Sequence, residues 1–235
     1  MNKNTYRFTG LLYLFVILFA GFSQAYVRGN IVVSQNASAT ANNIIENEDL
    51  FRLGLSLDLV AFILDAIISV LLYQIFKPVN QRMALVASVL RLIAHPAIGS
   101  LNLLNHYLAY QVLGGAEFLS VFDVAQLNAL SLLFMETHRY GYLIAGGFFG
   151  LHCLLLGILI YRSNTIPNIF GGFLLGSAAG YLIETFGNFN MPGYEEYTAL
   201  IVGVAAAIGE ISLTLYLLIK GKKEDISGYG ELLPS

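Results

Sequence analysis

Between Arg91 and His106 the chain reads RLIAHPAIGSLNLLNH, an arginine, two histidines and two asparagines set inside a long apolar run. Arg91, His95, Asn102 and His106 follow one another at intervals of four, seven and four residues, which on a helix stacks them on one face. A helix that crosses a bilayer cannot turn such a face to lipid, because a charge at mid-membrane costs from about 3 to more than about 10 kcal/mol. The face must look inward, onto side chains of other helices or onto water. The expected fold is a bundle that encloses a polar interior.

The rest of the chain agrees with that class. Of its 235 residues 57% are hydrophobic and only 11% charged, against about 25% charged in ordinary globular proteins. Apolar runs of about 20 residues, the length of a membrane-spanning helix, recur at about 8–27, 51–76, 83–110, 140–161, 168–188 and 198–219. The fold class is therefore all-α, a polytopic transmembrane helical bundle of six spans. A further segment, 118–134, sets Phe118, Val121, Phe122, Ala125, Leu130 and Leu133 at near-helical spacing among Asp123, Gln126 and Asn128. It reads as one interfacial amphipathic helix. No polar stretch is long enough for an independent soluble core, so residues 1–221 form a single transmembrane domain, and the polar remainder 222–235 is expected to be a disordered cytoplasmic tail. A net charge of -3 with no basic patch excludes nucleic acid as a partner. The single cysteine, Cys153, excludes an internal disulfide and any CxxC site.

Several local features refine the picture. The first span follows Lys3 and Arg7 and ends in Ser23-Gln24-Ala25, which also fits a secretory signal. Its apolar stretch is long for a signal, so a retained helix is expected, uncharged and at the bundle periphery. In the 28–50 loop, Ser38 or Thr40 is expected to cap a short helix. Pro96 removes one ladder hydrogen bond and should kink the third span. Gly172, Gly176 and Gly180 form a small-residue ridge that continues to Glu184 and Asn188. Lys3, Arg7, Lys77, Arg82, Arg162, Lys220, Lys222 and Lys223 fall on one side of the membrane, and only Arg28, Arg52 and Arg139 on the other. The positive-inside rule then puts both termini in the cytoplasm.

With these directions the intramembrane polar residues fall into two layers. Asp58, Asn102, Asn105, His106, His138, Glu184 and Asn188 lie toward the outer face, and Asp65, Arg91, His95, His152 and Glu210 lie deeper. Arg91 with Asp65 is the simplest neutralising pair. Glu184, at the end of the glycine ridge, and Glu210, on the next helix, are expected to pack together as proton- or cation-binding acids, which suits a small transporter or permease. A homodimer across a glycine face, with a small-molecule or ion ligand, would go with that reading. A second reading is a membrane-embedded metal-dependent hydrolase, with His106 and His138 meeting at the outer face and Asp58 or Glu184 supplying oxygen to a divalent metal. No HxxxH, HExxH or DxxD spacing accompanies it. The third reading is a non-catalytic sensor or accessory subunit whose polar groups only pair helices. No GxSxG, P-loop or GxGxxG motif is present, so no cofactor beyond a metal is expected and the only certain partner is the lipid bilayer.

Longer segments carry a resemblance. They are NEDLFRLG at 47–54, LLYQIFKPVN at 71–80, FGLHCLLLG at 149–157, and Tyr161-Arg162-Ser163 through Ile166-Pro167 to Gly180-Tyr181-Leu182-Ile183. Together they resemble a bacterial family of multi-pass membrane proteins catalogued as a domain of unknown function, over about 7–221. The resemblance implies a bacterial cytoplasmic membrane, a single domain and a retained first span. It implies no activity and carries over no catalytic residue.

Overall fold

The structure is a computed structural model that describes residues 2–221, so the segment expected as a disordered tail lies outside the described residues. Seven helices are present among them: α1 (Lys3–Ile31), α2 (Ala37–Glu46), α3 (Glu48–Phe76), α4 (Gln81–Gln111), α5 (Val124–Tyr161), α6 (Asn168–Asn190) and α7 (Glu195–Ile219). All except α2 are long and apolar enough to cross a membrane. The protein is a multi-pass integral membrane bundle of six spans.

Polar residues set the helix starts. Asn2, Asn36, Asn80 and Asp123 each accept the backbone N–H three residues on, capping α1, α2, α4 and α5. The cap of α2 is thus Asn36, not Ser38 or Thr40. Thr40 instead holds the backbone N–H and carbonyl of Val33.

The extra helix outside the spans is α2. The segment 118–134 is not a separate interfacial helix: Glu117–Leu119 forms one tight turn, and α5 then runs unbroken for 38 residues. Asp123 and Gln126 form a reciprocal capping box there, and no proline interrupts the sequence before Tyr161. The charges at Glu136 and Arg139 do not end the helix, because they pair with each other at 3.1 Å on its exposed side. At about 1.5 Å per residue α5 is about 57 Å long. Its first turns project past the bundle, where Met135 joins Ile44 of α2 and Phe51 of α3 in a small second core.

The six long helices close into a ring, each packed on its sequence neighbours, with α1 between α3 and α7. The main core runs through it from Tyr6 and Tyr13 on α1 to Leu213 and Leu217 on α7. It includes Cys153, a buried packing residue. Glycines allow the closest approaches, and of the expected ridge only Gly180 meets another helix's backbone. A Cβ on Gly171 would lie 2.8 Å from the Gly157 carbonyl oxygen, and one on Gly180 would lie 3.2 Å from Val202 Cα, whereas Gly176 faces nothing within 4 Å.

Three spans contain a wide π-turn: Phe22–Arg28 in α1, Ile93–Gly99 in α4 and Ala207–Ile211 in α7. Pro96 accounts for the second, since it cannot donate to the Leu92 carbonyl. Each turn carries a polar residue inward or toward a crevice: Arg28, His95 and Glu210. Such turns recur at functional sites because they re-aim side chains without ending the helix. The first of them also overturns the peripheral placement of α1, because Arg28, expected in a loop, is a buried residue of that helix.

Candidate metal centre

The deeper polar layer is a closed network around Arg91, which is 1% exposed. Its Nε donates to Asp65 Oδ1 at 2.9 Å, Nη2 donates to the same oxygen, and Nη1 donates to the Tyr13 hydroxyl. Nη1 also meets His152 Nε2 at 3.1 Å, while His152 Nδ1 lies 2.8 Å from the Ala87 carbonyl oxygen. A carbonyl can only accept, so Nδ1 carries the proton and Nε2 offers its lone pair to Arg91. His95 Nδ1 sits 3.3 Å from the second Asp65 oxygen. The Tyr13 and Phe149 rings flank the guanidinium at 4.4 and 5.0 Å. All six spans but α6 and α7 contribute directly, and Tyr181 of α6 reaches the same layer by standing edge-on to Phe149 at 5.1 Å. Around Arg91 the guanidinium is matched by the Asp65 carboxylate, which suits a lock between helices.

The expected pair of acids does not form. Tyr181 donates to Glu210 at 2.7 Å. The α6–α7 register pairs Asn188 with Thr198 at 3.1 Å and Ser177 with the Ala205 carbonyl at 2.8 Å. That register puts Glu184 opposite the 198–205 stretch, far along the helix from Glu210. The Glu184 carboxylate makes no hydrogen bond among the described residues, and Asn188 takes the Arg139 guanidinium at 3.1 Å.

In the other layer the side chains converge. Asp58 of α3, His106 of α4 and His138 of α5 are buried, and one ligand atom from each lies within 4.8 Å of the other two. His106 Nε2 is 3.1 Å from the Phe51 carbonyl oxygen, and His138 Nδ1 is 3.0 Å from that of Asn102. Each ring therefore donates through one nitrogen and keeps a lone pair on the other. Those other nitrogens, His106 Nδ1 and His138 Nε2, are buried with no hydrogen-bond partner, as is Asp58 Oδ1. A backbone carbonyl behind each imidazole is the arrangement that orients a metal-ligating histidine. The His138 side is fixed further by Asn102, whose Nδ2 donates to the His138 carbonyl at 2.7 Å and whose Oδ1 accepts from Asn105 at 3.0 Å. This fits only because residue 141 is glycine, since a Cβ there would collide with the Asn102 amide.

The second Asp58 oxygen accepts from Arg28 Nη1. Arg28 is held in turn by Ser23 at 2.9 Å and by Gln24 at 2.7 and 3.0 Å, and Ser23 donates to the Gly54 carbonyl at 2.9 Å. With Asp58 balanced by Arg28 and both rings neutral, the site carries no net charge of its own, as its depth in a bilayer requires. A cleft of about 150 Å³, walled by Phe51, Leu55, Ser56, Tyr107 and Tyr110, reaches His106 from the surface.

Of the residues expected in the interior, Asp58, Asp65, Arg91, Asn102, His106, His138 and His152 are buried and His95 is partly exposed. Of the four residues expected around a metal, Asp58, His106 and His138 come together, and Glu184 does not join them. Arg28 was missed. For Arg28 a usable signal existed: Ser23 and Gln24 precede it by five and four residues, about one helical turn, which marks it as the end of a helix rather than a loop cation.

The comparisons with known proteins agree in scope. An uncharacterised protein of Archaeoglobus fulgidus is 29% identical over 161 residues, covering 68% of this chain and 79% of the relative. No solved structure matches the chain. The family described as Domain of unknown function (DUF4386) matches residues 8–221. A match over that much of a six-span bundle makes the protein a member of this family.

Proposed function

We propose that the protein is a membrane-embedded metalloprotein in which Asp58, His106 and His138 hold one divalent transition-metal ion between α3, α4 and α5. The observation that carries the reading is the convergence of three buried donor atoms, each without a partner, from three different helices. Buried polar atoms are almost always satisfied, and a lone one costs about 1–3 kcal/mol. Three in one place favour a ligand that accepts all their lone pairs at once.

Two histidines and one carboxylate are a ligand set of catalytic zinc and of non-haem iron, and three protein ligands leave a position for water. Metal-assisted hydrolysis is the activity that this set suits best. The transporter reading loses its support because Glu184 and Glu210 are not joined. The helix-pairing role belongs to the Arg91 network instead. On the cation count we place the metal centre toward the external face of a bacterial cytoplasmic membrane, with both termini cytoplasmic.

Metal analysis of protein purified in detergent and supplied with zinc tests this. One equivalent per chain is expected for the wild type and for Glu184→Gln, and a loss of at least about tenfold in affinity for His138→Ala. A well-folded wild type that retains no zinc would overturn the reading.

A further inference from the structure

We propose that the Tyr142 phenol is the fourth donor of this metal centre and binds the ion as phenolate. The inference rests on the metal reading above and adds a ligand to it. Five buried side-chain atoms among the described residues lack a hydrogen-bond partner, and four of them are Asp58 Oδ1, His106 Nδ1, His138 Nε2 and the Tyr142 hydroxyl. The fifth, on Thr214, belongs to α7. Tyr142 lies one turn beyond His138 on the same face of α5. The two rings meet edge-on with centroids 5.0 Å apart, and His138 meets His106 in the same way at 5.4 Å. The Arg28 guanidinium stands 5.3 Å from the Tyr142 ring centroid, and the phenol comes close enough to the Asp58 carboxylate and to Arg28 to interact with both, without meeting hydrogen-bond geometry to either.

Charge favours the phenolate. With a divalent ion, one carboxylate, one guanidinium and two neutral imidazoles, the loaded site would carry two positive charges. A phenolate reduces that to one, and at membrane depth each uncompensated charge is costly. On binding, the phenol O–H bond breaks, the oxygen bonds the metal and the proton passes to solvent, with no change of oxidation state. The position left open by the three-ligand set is then filled in the resting state, and a hydrolytic water has to displace Tyr142 or add as a fifth ligand.

Copper(II) is a suitable probe, because a copper–phenolate bond gives a visible charge-transfer band. Excitation into that band enhances tyrosinate ring vibrations in the resonance Raman spectrum. Wild type, Tyr142→Phe and His138→Ala are each loaded with copper(II) alone, with the apo thermal melt as the folding control. The expected result is a tyrosinate signature in the wild type that vanishes in Tyr142→Phe. That variant still binds copper, with affinity reduced by at least the tenfold that loss of an outer-shell partner costs. Wild type that binds one copper without the signature overturns the proposal and leaves the metal reading standing, as does a signature that survives in Tyr142→Phe. Wild type that binds no copper overturns both. Should Tyr142→Phe fail to fold, Tyr142→Leu takes its place, and a wild type that binds copper without the signature overturns the proposal whatever the variants do.

Discussion

Arg91 shows how much a single residue in an apolar run can disclose. A guanidinium in a membrane span has to find a carboxylate, and Asp65, on the preceding span and sharing a face with Asp58, is the nearest in the chain that lies within a span. The structure adds what no spacing could supply, namely that Tyr13 and His152 take the remaining donors. Arg91→Ala should cost about 3–5 kcal/mol, because it strands Asp65 in the interior, and Arg91→Ala with Asp65→Ala should recover part of that loss. Thermal melts of the purified single and double variants in one detergent measure it. Strictly additive losses would mean that Tyr13 and His152, rather than Asp65, hold the arginine. Arg28 was harder to read for a physical reason. It sits where an apolar run gives way to a polar loop, and a cation there is ordinarily solvated; Ser23 and Gln24 mark it as the end of a helix, but only the π-turn that swings it back over Asp58 gives its partner.

At the scale of helices, existence was legible and extent was not. Apolar content decides which segments can enter a bilayer, and all six expected ones are helices long and apolar enough to cross it. It is silent on how far a helix continues beyond the hydrocarbon, about 30 Å thick, and α5 continues well past it because a capping box starts it early. Glycine spacing was also ambiguous: Gly171 and Gly172 are adjacent in sequence, and only packing chooses between them. Gly171→Ala would press a Cβ to 2.8 Å from the Gly157 carbonyl oxygen and 2.9 Å from Tyr161 Cδ2. Separating α5 from α6 in this way should cost about 1–3 kcal/mol. Gly176→Ala, which meets nothing within 4 Å, should be neutral or should stabilise α6 by up to about 1 kcal/mol through helix propensity. Paired melting curves check the contrast, and equal effects would contradict the packing assigned to Gly171.

For the molecule as a whole, the cation asymmetry orients the bundle. Reporter fusions in the 78–81 turn and after residue 225 should report cytoplasmic, and fusions within 35–45 and 192–197 external. A cytoplasmic signal from 35–45 would invert the bundle and move the metal centre to the inner face. One further property of the ring bears on how the protein is made. Arg7 of α1 donates to the Ile219 carbonyl of α7 at 2.9 Å, across 212 residues of chain, and Gly221 lies against Lys3. The first span to leave the ribosome therefore finds one of its two neighbours only when the last is synthesised. Until then the flank of α1 that meets α7, with Arg7 and Gly10, lacks its partner. The cluster of Asp58, His106 and His138 with Arg28, from α1, α3, α4 and α5, is complete two spans earlier, so on the proposed metal reading a bound ion would hold the unfinished bundle together while the ring is still open.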